Sequence, residues 1–487
     1  MLRTQQIKIK KGHKMYPYFD DISFKTKNLY NIGNFYIRQC LTGLKKDAKN
    51  LTPNEREIIE LINSTIPRLN QLKIDYQKKR LGKELLKPKE EQKEIKEAKE
   101  YTLLDKDNSF LSYELLEGIL KLTNQPDYIA LPGQVNQQVL RLLMRDYKSF
   151  FEAVKGYQNN PSSYTGRPKM PKYAKKNGRK VIVFTNQICK VKDNKYLRFP
   201  KTKLQLNIGK LGLINGRLKE VRVIPSISHY VVEIVYQLDE SKEVKAEREY
   251  RLSCKPSRVI GIDLGIDNFA TIANNIGLKP MIIKGKVLKS INQYYNKEKA
   301  YYYGILRQGK SQEEGRFTSN RLTRLDEKRN QKVKDFMHKA SRVVINYSIA
   351  HNIDTIVIGR NSGWKRSINI GKVNNQKFVT IPYNDFIHMV EYKANEVGIK
   401  VIVTEESYTS KASFFDYDNV PTYDKDSNIK HRFSGRRITR GLYKTKDGIL
   451  INADINGALN IITKAVPDAF KIRDRGLVDN PLVLSVA

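Results

Sequence analysis

Cysteine is scarce in this chain: Cys40, Cys189 and Cys254 are the only three in 487 residues. They stand too far apart to make a disulfide framework, and no CxxC pair is present, so no structural zinc is expected. Histidine is nearly as rare, with six scattered residues. A transition-metal site is therefore not expected, and any metal should be held by oxygen. Acidic residues are outnumbered, 51 against 89 Lys and Arg, which leaves a formal charge of +38. That excess excludes an ordinary metabolic enzyme and points to a polyanionic partner, either nucleic acid or an anionic membrane surface. Long apolar runs are missing too, and the opening MLRTQQIKIKKG has no signal-peptide core. Secretion and membrane spanning are excluded on this reading, and a cytoplasmic protein is expected.

What is present is enough to fold. Hydrophobic residues make up 40% of the chain and aromatics 9%, more than a disordered basic tail carries. At roughly 150 residues per domain the length implies about three domains. The patterning predicts a short strand from Gln5 to Lys10, a turn at Gly12, and helical spacing from Phe24 to Leu41. A helical stretch from Pro53 to Leu122 follows, interrupted at Pro67 and Pro88. The mixed-charge run PKEEQKEIKEAKE within it reads as a solvated helix or linker. A second amphipathic helix opens after Leu131-Pro132, with Val135, Val139, Leu142, Leu143, Phe150 and Val154 as its apolar face. The Pro-, Gly- and Lys-rich segment NPSSYTGRPKMPKYAKKNGRK cannot be helical. Beyond it, VIVFTNQICKV, KYLRFP, LQLNIG, RLKEVRVIP and HYVVEIVYQL alternate like strands of a small antiparallel barrel or sandwich. KEVKAEREY reads as a linker, and from Ser257 onward the texture is α/β.

Three segments of that last region carry chemistry. In RVIGIDLGIDNFATIANN, an apolar strand from Val259 to Leu264 is broken only by Asp263, and a second strand, Phe269 to Ala273, follows. A charge in a buried strand is costly unless paired or bound to metal, although Asp263 could also simply cap a turn. In GIKVIVTEESYTSKASFFD, the strand Lys400–Val403 runs into Glu405 and Glu406. Neighbouring strand residues face opposite sides, so at most one of these acids faces a shared pocket. In GILINADINGALNIITKAV, Asp454 follows a strand and precedes a helix, where an N-cap is its commonest use. Taken together, acids at the ends of separate strands of one α/β unit can converge and hold two Mg²⁺ through oxygen. Such a pair activates water for phosphodiester hydrolysis.

At these residues the sequence resembles a known family. GIDLGIDNFAT, EESYTSKASFFD and NADINGALNI are similar, in this order, to the three RuvC motifs of the transposon-encoded TnpB nucleases and of their compact type V CRISPR descendants. The likeness extends through KVKDFMHKAS, IDTIVIGRNSGWK and SGRRITRGLYKTKDG. It continues more weakly through LYNIGNFYIRQ, LPGQVNQQVL and GRPKMPKY, and leaves out 51–125. The resemblance implies a multidomain α+β and α/β chain. A β-barrel wedge domain (1–20 and 161–250) would receive an inserted helical recognition lobe (21–160). An RNase H-like RuvC nuclease domain (251–487) would follow, carrying a nucleic-acid-binding insert at 411–447. It also implies a guide RNA, double-stranded DNA as target and a short flanking motif read by the protein. Oligomeric state is left open, with a monomer favoured. Asp263 and Asp454 match the first and third acids.

Two departures from the family pattern stand out. Most members carry the second acid in a segment like IVIEDL, where this chain reads IVIGRN. A branch of the family places it just before the Ser/Ala-Tyr-Thr-Ser element, which makes Glu406 the candidate, with Glu405 in reserve. If neither serves, the implied protein is a nuclease-inactive RNA-guided repressor. The zinc-ligand CxxC pairs of many relatives are also missing. In their place is KHRFSGRRITRGLYKTK, seven Lys and Arg with no acid, read as a metal-free basic hairpin that includes Arg436, Arg437 and Arg440.

Other basic stretches complete the candidate nucleic-acid surface. Arg321–Arg342 reads as a helix with eight Lys and Arg against three acids, and Arg329 and Lys332 are its candidate phosphate contacts. Arg167, Lys169 and Lys172 lie on the Pro-stiffened segment. His338 is read as a packed or capping residue. Tyr294, Tyr295, Tyr301, Tyr302 and Tyr303 are expected to pack in a core rather than stack on bases, and Trp364 is expected to be buried.

Overall fold

The computed structural model describes all residues except 1, 89–90, 93, 95–96, 98, 210–215, 312, 362–379, 425–428, 474–477, 479 and 487. The expected burial of Trp364 therefore lies outside the described residues. The chain divides into two compact units, Met1–Asp239 and Glu240–Ala487.

The first unit runs β1 (Leu2–Lys10), α1 (Tyr16–Gly43), α2 (Pro53–Leu85), α3 (Tyr113–Leu122), α4 (Pro126–Ile129), α5 (Gly133–Asn159), β2 (Ile182–Thr185), β3 (Lys190–Lys192), β4 (Tyr196–Arg198), β5 (Gln205–Asn207), β6 (Gly216–Pro225) and β7 (His229–Leu238). The strands pair as a four-stranded sheet in the order β1-β7-β6-β2 and a three-stranded sheet β3-β4-β5. The N-terminal strand lies antiparallel to β7, from Leu2 opposite Gln237 to Lys10 opposite His229. Every helix from α1 to α5 therefore sits between two strands of one sheet. A single hydrophobic cluster joins Ile9, Phe184, Val223 and Val232 of that sheet to Phe19, Leu29, Val139 and Leu143 of the helices.

Three local outcomes differ from the sequence expectation. Pro67 does not interrupt α2, which continues from 53 to 85. Ile58, Ile62, Ile66 and Leu69 are buried on both sides of the proline, so packing outweighs the one backbone bond it removes. The buried apolar face of α5 is Val135, Val139, Leu140, Leu143 and Tyr147, without Leu142, Phe150 and Val154. Tyr147 is admitted because its hydroxyl donates to Asn34 Oδ1 at 2.7 Å. The KEVKAEREY stretch is a helix, capped by the Ser241 side chain on Val244 N–H.

The non-helical segment after α5 is fastened along α1. Lys27 Nζ donates to the Lys176 carbonyl at 2.8 Å, Asn31 exchanges two bonds with Ala174, and Asn34 Nδ2 donates to the Pro171 carbonyl. These positions recur at helical spacing, so one face of α1 holds the backbone. The side chains of Arg167, Lys169 and Lys172 are exposed.

The second unit continues with α6 (Lys242–Ser253), β8 (Val259–Leu264), β9 (Asn268–Asn274), β10 (Met281–Lys284), α7 (Lys286–Arg307), α8 (Asn320–Ala350), β11 (Thr355–Gly359), α9 (Tyr383–Glu396), β12 (Lys400–Thr404), β13 (Arg436–Thr439), β14 (Leu442–Lys444), β15 (Leu450–Asn452), α10 (Ala453–Ala465) and β16 (Leu482–Leu484). Its main sheet has the order β12-β11-β8-β9-β10-β16. Strands β8, β11 and β12 are parallel, while β9 is antiparallel to β8 and β10 to β9. The parallel strands read as continuous apolar runs because both faces are covered. Ile260, Ile262 and Ile356 pack with α8 and α9, whereas Val259 and Val357 pack with Ile461 and Ile462 of α10. Strands β13, β14 and β15 form a separate antiparallel sheet. Among the described residues no helix is long and apolar enough to cross a membrane.

Candidate active site

The parallel arrangement brings the carboxyl ends of β8, β11 and β12 to one edge of the sheet. Asp263 is the penultimate residue of β8, and Glu406 follows β12 by two residues. Asp454 lies in the first turn of α10. The N-cap there is Asn452, whose Oδ1 accepts from Asp454 N–H and Ile455 N–H. The Asp454 carboxylate is thereby released from capping. All three acids line a single cavity of about 350 Å³, together with Asn268, Asn361, Tyr408 and Arg437.

Two glycines make room for this grouping. A Cβ at Gly457 on α10 would stand 2.8 Å from Asp263 Oδ2, and one at Gly359 would stand 2.9 Å from Glu406 Oε2. An acid at the end of β11 would therefore contend for the space that the Glu406 carboxylate fills. Glu405 faces the other way: it pairs with Lys464 and accepts from Ser407 N–H at 2.8 Å. The strand alternation between the two glutamates is thus kept past the end of β12.

The motif after Glu406 is tied to α10 by buried asparagines. Asn456 Nδ2 donates to the Ala412 carbonyl at 2.8 Å, and its Oδ1 accepts from Phe414 N–H at 3.0 Å. Asn460 Nδ2 donates to the carbonyls of Thr409 and Ala412. EESYTSKASFFD and NADINGALNI are therefore two halves of one structure. An unsatisfied buried carbonyl would be costly, and these amides satisfy several at once.

Electrostatics strain the cavity. Burial pushes the Asp263 carboxyl up to about 7, and the negative charge of Asp454 adds to the effect. Burial, then the charges of Asp263 and Glu405, push Glu406 up to about 8. Like charges gathered in a poorly solvated notch disfavour ionisation unless a cation joins them. Part of that compensation comes from the basic hairpin. Arg437 Nη2 lies 3.1 Å from Asp454 Oδ1, and Arg440 Nη2 lies 2.8 Å from Asp267 Oδ2. Asn268 Nδ2 donates to Asp454 Oδ2 at 2.8 Å, and Asn361 Oδ1 accepts from Glu406 N–H at 3.1 Å.

The donor set suits a hard divalent cation: three carboxylates, a shared cavity and raised proton affinity that a metal would reverse. Among the described residues no three His, Cys, Asp or Glu side chains stand at metal-ligand spacing. The acids line the cavity without converging on one point, and Arg437 is the cation that meets Asp454.

The other candidate residues are dispersed. Arg436 is exposed on β13 beside Arg437, and Lys332 is exposed on α8. Arg329 is turned inward, with Nε donating to Asn292 Oδ1 at 2.9 Å and Nη2 to the Thr380 carbonyl at 2.5 Å. The tyrosines of α7 do not form a core. Tyr294, Tyr301 and Tyr303 are 56%, 63% and 37% exposed. Only Leu288 and Asn292 of this helix are buried, so its remaining faces are left to solvent. Asn361, Asn268 and Asp267 were not singled out from sequence. Asp267 and Asn268 sit within the GIDLGIDN motif, which was the available signal.

These features describe a two-unit α+β chain with an acidic cavity at the carboxyl ends of parallel strands. Residues 235–365 match the OrfB_IS605 family model, described as a probable transposase. Residues 383–461 match the Cas12f1-like TNB domain. A TnpB-like protein, ORF457 of Acidianus two-tailed virus, is 27% identical over 46% of this chain and 46% of its own length. The CRISPR-associated endodeoxyribonuclease Cas12f1 of Sulfoacidibacillus thermotolerans is 26% identical over 44% of this chain and 47% of its own. The chain is thus similar to TnpB-like and Cas12f1-like proteins over these regions, which contain its three acidic motifs. It spans about half the length of the curated relatives it matches. A solved Cas12f1–sgRNA–target DNA complex aligns over 94% of this chain and 98% of that one, at 16% identity and a TM-score of 0.30.

Proposed function

We propose that this chain is an RNA-guided DNA endonuclease whose RuvC-type site comprises Asp263, Glu406 and Asp454. The observation that carries the reading is the meeting of these acids, distant in sequence, in one cavity beside Arg437. The strand order of the second unit, the antiparallel β8-β9-β10 continued by parallel β11 and β12 on one side and by β16 on the other, supports an RNase H-like nuclease domain over 251–487. The pairing of β1 with β7 supports a wedge domain made of 1–20 and 161–250, with 21–160 inserted as the recognition lobe. Segment 411–447 acts as the target-binding insert.

Two Mg²⁺ ions held by Asp263, Glu406 and Asp454 would supply an activated water and charge for the leaving oxygen in phosphodiester hydrolysis, giving 5′-phosphate ends. Asn268 and Asn361 fix the orientations of Asp454 and Glu406, so that little reorganisation is needed when substrate arrives. Arg437 exchanges its pairing with Asp454 for the incoming phosphate, and Arg436 and Arg440 steer the strand along the hairpin. Arg167, Lys169, Lys172 and Lys332 bind guide or target phosphates. The partners are a guide RNA and double-stranded DNA in a prokaryotic cytoplasm, with the chain acting as a monomer.

The deciding experiment is cleavage of a guide-matched plasmid by protein purified with its RNA, with and without magnesium. Asp263→Ala should abolish cutting and leave RNA binding unchanged. Undiminished cutting by that variant would overturn the assignment.

A further inference from the structure

Helices α7 and α8 lie against each other, and a cleft of about 210 Å³ opens between them, away from the acidic cavity and sharing no residue with it. It is lined by Ile291, Tyr294 and Tyr295 of α7 and by Leu325, Lys328, Arg329 and Lys332 of α8. Tyr295 is fixed in place: its hydroxyl donates to Asp326 Oδ1 at 2.6 Å and accepts from Lys299 Nζ at 2.8 Å. Tyr294 is 56% exposed. Lys328 and Lys332 are four residues apart on one face of α8, exposed, and form no ion pair with an acid among the described residues. Asp326, on the same stretch of α8, is engaged by the Tyr295 hydroxyl and by Lys299.

An exposed ring beside the half-buried Ile291 and Leu325, with two exposed lysines in the same lining, suits a flat aromatic group that carries anionic charge at its edge. Unpaired nucleotides have that chemistry, since every base offers a π-face and every linkage a phosphate. A second copy of this chain fits poorly, because its +38 charge would meet the same lysines. We infer that the α7–α8 cleft is a stacking site for an unpaired nucleotide, with Tyr294 beneath the base and Lys328 and Lys332 on the flanking phosphates. The inference rests on the nucleic-acid reading above and adds a residue-level contact for a single strand. It gives the exposed tyrosine a role that core packing does not.

The test uses the full chain, freed of RNA by ribonuclease and held in chelator so that nothing is cut. Fluorescence anisotropy is measured with short single-stranded oligo-dT and oligo-rU, and with matched strands carrying central abasic sites. Intact strands should bind about tenfold more tightly than abasic ones, the scale of stacking on one ring. Tyr294→Leu should erase that ratio, and Tyr294→Phe should keep it. Lys332→Gln should weaken intact and abasic strands alike and flatten the salt dependence by about one unit of slope. The arm with the larger ratio, ribose or deoxyribose, identifies which strand is held. An unchanged ratio in Tyr294→Leu, with the same melting curve as the parent, overturns the site. A parent chain that cuts guided plasmid but shows no ratio loses this inference and keeps the nuclease reading. A parent that shows the ratio but cuts with no divalent ion does the reverse.

Discussion

Gly359 and Glu406 share one volume: a Cβ on the glycine would lie 2.9 Å from the glutamate Oε2 and 2.5 Å from Ile461 Cδ1. The end of β11 is bare because the next strand over, β12, delivers a carboxylate to the space. Gly359→Asp should therefore not supply a better acid. It should crowd Glu406 and Ile461, lowering stability by about 1–3 kcal/mol, the usual cost of overpacking. Thermal melts and plasmid cleavage should fall together, whereas Gly359→Asp with Glu406→Ala should recover part of the melting temperature.

Asp263 sits among like charges, so neutralising it should relieve the metal-free protein. In chelator, Asp263→Asn should melt higher than the parent, by roughly 1 kcal/mol or more given the size of such repulsions. Added magnesium should raise the melting temperature of the parent more than that of the variant, since only the parent gains ligation energy. Equal responses of the two proteins would contradict ion binding at Asp263.

The Arg437–Asp454 pair is partly solvated, with side chains 38% and 29% exposed. Its loss should cost at most about 1 kcal/mol of stability. Arg437→Ala should accordingly leave the melting temperature nearly unchanged while lowering the cleavage rate. A matching fall in stability would mean that the arginine serves the fold rather than the strand.

Asn460→Leu removes the side-chain donor to the Thr409 carbonyl and one of the two donors to the Ala412 carbonyl, which keeps Asn456 Nδ2. Orphaning the buried Thr409 carbonyl should cost about 1–3 kcal/mol. Because the pinned loop begins at Glu406, cleavage by the folded fraction should also slow. Asn63, whose side chain brackets Leu104 in the other unit, is the control: its Ala variant should lose stability without slowing the folded fraction.

Lys393 is buried, and its ammonium donates to the His338 carbonyl at 2.9 Å and Ser341 Oγ at 2.7 Å. Burial, then the charge of Arg342, lowers its ionisation to about 8. Below pH 8 the lysine is protonated in both folded and unfolded chains, and the folded form bears the desolvation cost. Between pH 8 and about 10.4 the unfolded chain binds more protons, so this residue's contribution to stability rises with pH. Lys393→Met should melt higher than the parent at pH 7, and the gap should narrow from pH 8 upward. A pH-independent gap would show that the lysine does not titrate in this range.

Much of this was readable from residue order. Apolar runs placed β8, β9 and β12, the family resemblance marked the segment that forms β11, and helical spacing placed α8 and α10. The strand bounds and the start of α8 came out within a few residues because apolar periodicity and turn residues are local signals, whereas α8 runs on to Ala350, eight residues past the expected Arg342. The uncapped role of Asp454 was harder to read: an acid in the first turn of a helix looks like a cap until Asn452 is seen to hold that position. The α7 tyrosines were misplaced for a related reason. Aromatic content signals burial only when another element covers the rings, and α8 half-buries only Tyr295 and Tyr302 of the five.

The chain's own order determined that acids stand at strand ends, that adjacent glutamates must point apart, and that the basic excess seeks a polyanion. These follow from backbone geometry and charge, which need no partner. Only the tertiary structure decided that Glu406 faces the cavity while Glu405 goes to Lys464, and that Arg437 reaches Asp454. Those choices depend on where α10 packs against β8 and β11, a long-range contact fixed by shape and by asparagines that bond across nearly fifty residues, which no local pattern encodes.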